Sequence, residues 1–375
     1  MEEIGQWPIR ARVLTLNGAT TPKRRGTILR RAINSKGRHR ISFLVELPQG
    51  EFNPNAFKAF NPTVGFDPDN GNALAMAWMA QLAYETRLPE KVGAISQLFQ
   101  LTDVRIVRQA VNNSPLRLSD TRGIIASRGE ALIVAFAGTD PLHLLNWVSD
   151  FYVGRPTERL HEGFQAAADV VWPEVGAAIE RGIKENRRLF MVGHSLGAAI
   201  ALVTVDRTRK EKDLHSAQVF VFGAPRVGRA DFVATYNATF GSTTYRLVHG
   251  RDIVPTVPPV ELGFHHVGRF LGCESGAKFN LTELSSEPGS DEPSSGNDFF
   301  KGVGGQLRNL FGVQSLTSRV DALGRLTRLL APSIGDHLPD RYFTALTPMR
   351  SSLRSEIRSG WRARGCTLGQ PQASR

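Results

Sequence analysis

The 375-residue chain carries 46 Lys/Arg against 35 Asp/Glu, with 41% apolar and 22% charged residues. That balance suits a globular chain with a sizeable core and excludes wholesale disorder, and no window supplies the ~20 consecutive apolar residues of a membrane span. The net charge of +11 sits at the ends, with ten Lys/Arg against three acids in residues 1–50 and twelve against four in 301–375. Such a distribution reads as solvated basic flanks first, an anionic membrane surface second and nucleic acid last.

The opening MEEIGQWPIR has neither the basic start nor the apolar stretch of a secretory signal. The expectation is a protein that is cytoplasmic or exported without a recognisable signal peptide. Residues 1–69 mix short extended patterns at 9–16 and 41–47 with Pro and Gly, and read as an N-terminal extension, partly β or loose. Residues 72–85, NALAMAWMAQLAYE, form a helix pattern that is apolar all round, so the helix is expected deep in the domain. The run ALIVAFA at 131–137 reads as a strand buried on both faces. A helix pattern around one Pro follows at 164–183. Then come a strand at 190–192, a helix at 196–207 and strands at 218–222 and 245–248.

Buried strands alternating with helices predict the α/β class, a doubly wound and mostly parallel sheet. The main domain is placed at 70–345, with an insertion at 274–331 and a basic tail at 346–375. Within the insertion, 283–305 is rich in Ser, Pro, Gly and acids and reads as a flexible loop. After it, Leu307, Leu310, Phe311, Leu316, Val320, Leu323, Leu326 and Leu330 recur at three- and four-residue steps, interleaved with Arg308, Arg319, Arg325 and Arg328. Residues 306–331 are thus a basic amphipathic helix pattern, suited to packing on the domain or to peripheral contact with a lipid surface. Two distant cysteines, Cys273 and Cys366, and no zinc-ligand spacing leave no metal or other cofactor to expect.

The motif that carries chemistry is Gly193-His194-Ser195-Leu196-Gly197. Alone, G-x-S-x-G arises by chance in about one chain in five of this length. Its setting raises it, because an apolar strand at 189–192 precedes it and a small-residue helix start, Ala198-Ala199, follows. That is the strand–turn–helix of a nucleophile elbow, where close backbone leaves no room for a Cβ. Ser195 stands at the tip, and the helix N-terminus behind it offers N–H groups to a developing oxyanion. A serine hydroxyl attacks only when a base takes its proton. In this arrangement the acid and base follow the nucleophile in chain order.

Asp252, on the short loop after the strand at 245–248, is the expected acid. His39, His143 and His161 precede Ser195 and drop out. His194 reads as core packing, His215 lies in a charged loop, and His249 and His265 crowd the acid. His337, in Gly-Asp-His-Leu-Pro, is the preferred base, with His266 as the fallback.

Several ordered blocks are similar to those of the class 3 (fungal-type) triacylglycerol lipases, an α/β-hydrolase family. They are AFAGTD at 135–140, NWVSDF at 146–151, HEGF at 161–164, VGHSLGAA at 192–199, FGAPRVG at 222–228, RDIVP at 251–255, HHVG at 265–268 and DHLPDRY at 336–342. The resemblance covers roughly 70–345. It implies that Asp252 and His337 complete a triad with Ser195, and that Thr139 and Leu196 form the oxyanion hole. The family's Arg in the block at 135–138 is Ala137 here, so any ion pair of that Arg is absent. In such lipases the segment after the oxyanion block often forms a lid. Here 140–153 offers Leu142, Leu144, Leu145, Trp147, Val148 and Phe151 as an apolar patch, which reads as a lid or as a packed helix.

The stretch from Asp252 to His337, 85 residues, is longer than in compact fungal members because of the insertion. The resemblance implies a triacylglycerol lipase-type serine esterase acting on carboxylic esters of lipids. Phospholipase A1 and a short-chain or feruloyl-type esterase are the enzyme alternatives. An inactive lipase-like binding module is the non-enzyme alternative.

Overall fold

The computed structural model describes residues 46–66, 71–112, 120–139, 160–284, 333 and 335–348. All of them fall within the second of the two units into which the chain divides, Leu44–Arg375. In chain order the main elements are α1 (Asn72–Tyr84), α2 (Pro89–Leu98), β1 (Thr102–Ala110), β2 (Asp120–Arg128), β3 (Ala131–Phe136), α3 (Leu160–Asp169) and α4 (Trp172–Lys184). They continue with β4 (Arg188–His194), α5 (Leu196–Lys212), β5 (Gln218–Phe222), α6 (Ala230–Phe240), β6 (Thr244–His249), β7 (Arg269–Cys273) and α7 (Pro339–Leu346). The seven described strands form one sheet in sequence order. β1, β2 and β3 pair antiparallel, and β3 through β7 pair parallel.

Side-chain alternation shows why this sheet is covered on both faces. Leu132, Val134 and Phe136 of β3, Leu189 and Met191 of β4, and Val219 and Val221 of β5 enter one core, against Phe164 of α3, Val175 and Ile179 of α4 and the apolar side of α5. The intervening Ile133, Ala135, Phe190, Val192, Phe220 and Phe222 enter the other, against α1, Phe99 and α7. A period of two with apolar residues at both phases is what a strand buried on two faces requires. Helix α1 meets the sequence expectation, since all its residues except Leu74 are buried.

Three sequence expectations are corrected. The helix expected across 164–183 is two helices, broken after Asp169, with Pro173 in the first turn of α4, where its missing N–H breaks no helical bond. Strands β1, β2 and β7 were not anticipated. β1 is a half-exposed edge strand whose Arg105 and Arg108 mask the pattern, and β2 carries Gly123, where a Cβ would lie 2.7 Å from the Ala135 carbonyl oxygen of β3. The boundary expected after residue 69 is not a structural one. Residues 46–66 join the main core, with Phe52 packing on Trp78 at 5.4 Å between ring centroids and Phe57 on Phe99 at 5.2 Å.

The candidate lid at 140–153, with Leu142, Leu144, Leu145, Trp147, Val148 and Phe151, lies outside the described residues, as does the amphipathic pattern at 306–331. Among the described residues no helix is long and apolar enough to cross a membrane. None of their His, Cys, Asp or Glu groupings could hold a metal ion.

Candidate active site

β4 runs through the middle of the sheet and ends at His194, and α5 begins two residues later at Leu196. The reversal is absorbed by Ser195, at φ 60° and ψ −131°, a conformation that an L-residue holds only when its surroundings over-determine it. Two contacts do so here. The Ser195 N–H donates to the Phe222 carbonyl at 2.9 Å, and the Ser195 carbonyl accepts from Ala198 N–H at 2.9 Å. Gly193 and Gly197 are required by space. A Cβ on Gly193 would collide with the Gly197 carbonyl, and one on Gly197 with the Phe136 carbonyl. Leu196, first residue of α5, keeps an N–H with no intrahelical acceptor. The Gly138–Thr139 backbone crosses against the same turn, because a Cβ on Gly138 would lie 2.7 Å from Ser195 Cβ and 2.5 Å from Tyr84 Oη.

The sequence-derived acid and base meet in space. His337 Nδ1 lies 2.7 Å from Asp252 Oδ2 and 2.8 Å from Oδ1, and both side chains are buried. Asp252 Oδ1 also accepts from Val254 N–H at 2.8 Å, and Oδ2 accepts from Tyr342 Oη at 2.5 Å. A carboxylate so surrounded by donors is fixed in orientation. His337 Nδ1 faces an acceptor-only carboxylate, so it carries the proton, and Nε2 presents a lone pair. Ser195 Oγ and His337 Nε2 are both buried and have no protein hydrogen bond among the described residues. The fallback His266 is elsewhere, its Nε2 donating to the Pro255 carbonyl at 2.9 Å. Burial and the nearby Arg246 and Arg226 hold it well below the usual histidine range.

The sequence reading missed four residues. Tyr342 lies inside the DHLPDRY block, five positions after the base, and the spacing gives no hint that its hydroxyl turns back onto Asp252. Burial, reinforced by the Asp252 charge, raises its pKa far above the usual phenol range, so it stays a neutral donor. Asp336 Oδ2 accepts from Arg251 N–H at 2.9 Å and from Ser275 Oγ at 2.5 Å, tying the base loop to the acid loop. Tyr84 and His194 add a third connection, through a 2.7 Å contact between Tyr84 Oη and His194 Nδ1. Cys273, at the end of β7, is a free thiol that burial pushes up to about 12, so it is no rival nucleophile at neutral pH.

Gly223, directly after β5, sits at φ +57° against the pair, and a Cβ there would stand 2.5 Å from Asp252 Oδ2 and 2.9 Å from His337 Nδ1. Gly129 has a similar φ of +54° with nothing within 4 Å. Gly129→Ala is expected to lower stability by about 1 kcal/mol through backbone strain alone, with turnover unchanged. Gly223→Ala adds displacement of the acid–base pair and is expected to lower kcat on the order of 100-fold. Melting curves and rates for the two variants separate strain from misplacement, and equal rates would show that the pair tolerates the added methyl group.

A serine at a strand–turn–helix tip on a mostly parallel sheet, paired with an Asp on the loop after β6 and a His on the segment before α7, defines an α/β-hydrolase. The model of the family described as lipase (class 3) matches residues 133–262. The chain is similar to a secreted mono- and diacylglycerol lipase of Malassezia globosa, 30% identical over 174 residues, which are 43% of this chain and 56% of that protein. It is also similar to a lipase of Rhizomucor miehei, 32% identical over 163 residues, covering 40% and 44% of the two chains. Among solved structures, the lipase from Rhizopus microsporus var. chinensis matches 63% of this chain and 87% of its own, at 21% identity and a TM-score of 0.46. Over residues 133–262 the chain is similar to the class 3 lipases. It spans about half the length of the first curated relatives it matches.

Proposed function

We propose that this protein is a serine esterase that hydrolyses the carboxylic ester bonds of lipid substrates, acylglycerols above all. The supporting observation is the buried Asp252–His337 pair, with His337 Nε2 and Ser195 Oγ both buried and without a hydrogen-bond partner among the described residues. In the first stage Ser195 Oγ attacks the ester carbonyl carbon while His337 Nε2 takes the hydroxyl proton. Asp252 holds Nδ1–H in place and stabilises the imidazolium. The backbone N–H groups of Thr139 and Leu196 receive the oxyanion. His337 then returns the proton to the departing alcohol. In the second stage water, deprotonated by the same Nε2, attacks the acyl-enzyme and releases the fatty acid.

Relatives named as mono- and diacylglycerol lipases favour partial glycerides alongside triglycerides as substrates. Rates on emulsified di- and triacylglycerol, phospholipid vesicles and a soluble p-nitrophenyl ester, measured side by side, test this. The expected result is turnover of all acylglycerols, with a rate increase once substrate exceeds its solubility. A preference for vesicles would reassign the enzyme as a phospholipase. Activity confined to the soluble ester would make it a short-chain esterase.

A further inference from the structure

His194 is the residue before the nucleophile, and on sequence alone it is only core packing. It is buried, and its two ring nitrogens make two bonds to distant parts of the chain. Nε2 lies 2.6 Å from the backbone carbonyl of His337, 143 residues away, and Nδ1 lies 2.7 Å from Tyr84 Oη at the end of α1. A carbonyl only accepts, so Nε2 must carry the proton. Nδ1 is then an acceptor, and the Tyr84 hydroxyl must donate to it. One tautomer satisfies both bonds. The ring of His194 also lies against that of His337, with centroids 4.5 Å apart and planes 34° from each other.

From this geometry we infer that His194 is a positioning residue for the base: with Tyr84 fixing its tautomer, it clasps the His337 backbone and ring to the nucleophile turn. The inference rests on the reading of Ser195 and His337 as nucleophile and base. It has a physical motive in the chain's connectivity. His337 arrives after 85 residues of sequence beyond Asp252, so its backbone needs local ties if Nε2 is to stand within reach of Oγ. Asp336 supplies a tie toward the acid loop, and His194 supplies one from the nucleophile itself. The charge state suits the task. Burial, with the neighbouring His337, holds the pKa of His194 well below the usual range, so it stays neutral when His337 becomes an imidazolium. A charged ring packed there would oppose the proton transfer.

The test uses the full chain. His194→Phe keeps a ring and removes both hydrogen bonds. Tyr84→Phe removes the donor that sets the tautomer. His194→Gln keeps an N–H close to the position of Nε2. Turnover of p-nitrophenyl butyrate is measured per site titrated with a serine-reactive phosphonate, so that loss of folded protein does not count as loss of rate. For the two Phe variants kcat is expected to fall about 10- to 100-fold with KM little changed, the size of effect a misplacement of the base near 1 Å produces. The Gln variant is expected to recover most of the rate.

Phe variants that titrate fully and keep the wild-type kcat would overturn the inference and leave the esterase reading intact. So would a Gln variant as slow as the Phe variant. A wild-type protein that neither turns over nor takes the label would overturn both. A nitrogen-15 correlation spectrum of the wild type adds a readout that needs no variant. His194 protonated on Nε2 supports the inference, and protonation on Nδ1 contradicts it.

Discussion

Ser195→Ala is expected to lower kcat about 10⁶-fold, to abolish labelling by a serine-reactive phosphonate, and to leave the melting temperature unchanged or slightly raised. The three outcomes have one cause. Ser195 Oγ is buried and makes no protein hydrogen bond among the described residues, so its removal breaks none. A buried hydroxyl without a protein partner is unfavourable by about 1–3 kcal/mol, and replacing it with a methyl group relieves that penalty. The turn does not depend on the side chain either. It is held by the backbone bond from Ser195 N–H to the Phe222 carbonyl and by the glycines at 193 and 197, and alanine meets the same φ of 60° with the same strain. A hydroxyl that weakens the fold and is retained at a strained turn is the pattern expected where stability is exchanged for chemistry. A large fall in melting temperature would instead give Oγ a structural bond. Phosphonate labelling that persists would move the nucleophile to another residue.

The central part of the fold was legible because its elements are extreme cases. Strands β3, β4 and β5 are apolar at both phases, and α1 is apolar all round, patterns that occur only where both faces or all sides are covered. The outer elements escaped because their signals are mixed. β1 exposes arginines at an edge, and in the two-helix segment α3–α4 a proline tolerated in a first turn reads, in sequence, like one inside a single helix. Ser195, Asp252 and His337 are proposed from chain order and loop position, Ser195 after β4 and Asp252 on the loop after β6 being where such a sheet presents functional groups. Tyr342, Asp336, Tyr84 and the outward bonds of His194 were not legible. Each acts through a contact between segments far apart in sequence, such as the 110 residues between Tyr84 and His194. No local pattern encodes such a pair. The aromatic stack of Trp78 on Phe343, with centroids 3.9 Å apart, is of the same kind: it docks α7, and with it Tyr342, onto α1.

Asp252→Asn is expected to lower kcat about 10⁴-fold while the protein remains folded. The reason lies in what each neighbour can donate or accept. In the wild type both carboxylate oxygens only accept, and they receive His337 Nδ1–H, Tyr342 O–H and Val254 N–H. An asparagine replaces one oxygen with an N–H₂ group. Val254 N–H is a fixed donor, so the remaining oxygen stays with it at the Oδ1 position, and the amide nitrogen takes the Oδ2 position. There it faces Tyr342 Oη and His337 Nδ1. The tyrosine hydroxyl adapts by rotating, because it also accepts, as it does from His249 N–H at 3.3 Å. The imidazole adapts by moving its proton from Nδ1 to Nε2. The ring then points an N–H at Ser195 in place of a lone pair and cannot take the hydroxyl proton. Folding survives because Val254 N–H and both amide hydrogens find acceptors and only the Tyr342 O–H must turn away, whereas an alanine at 252 would leave three donors facing a void. His266 cannot substitute, since its Nε2 is committed to Pro255. The check is a pair of measurements on one sample: kcat on a soluble ester, and the nitrogen-15 shifts of His337, which report the tautomer. A loss of only tenfold with the Nδ1–H tautomer intact would mean that Asp252 serves the turn at 252–254 and that another group orients the base.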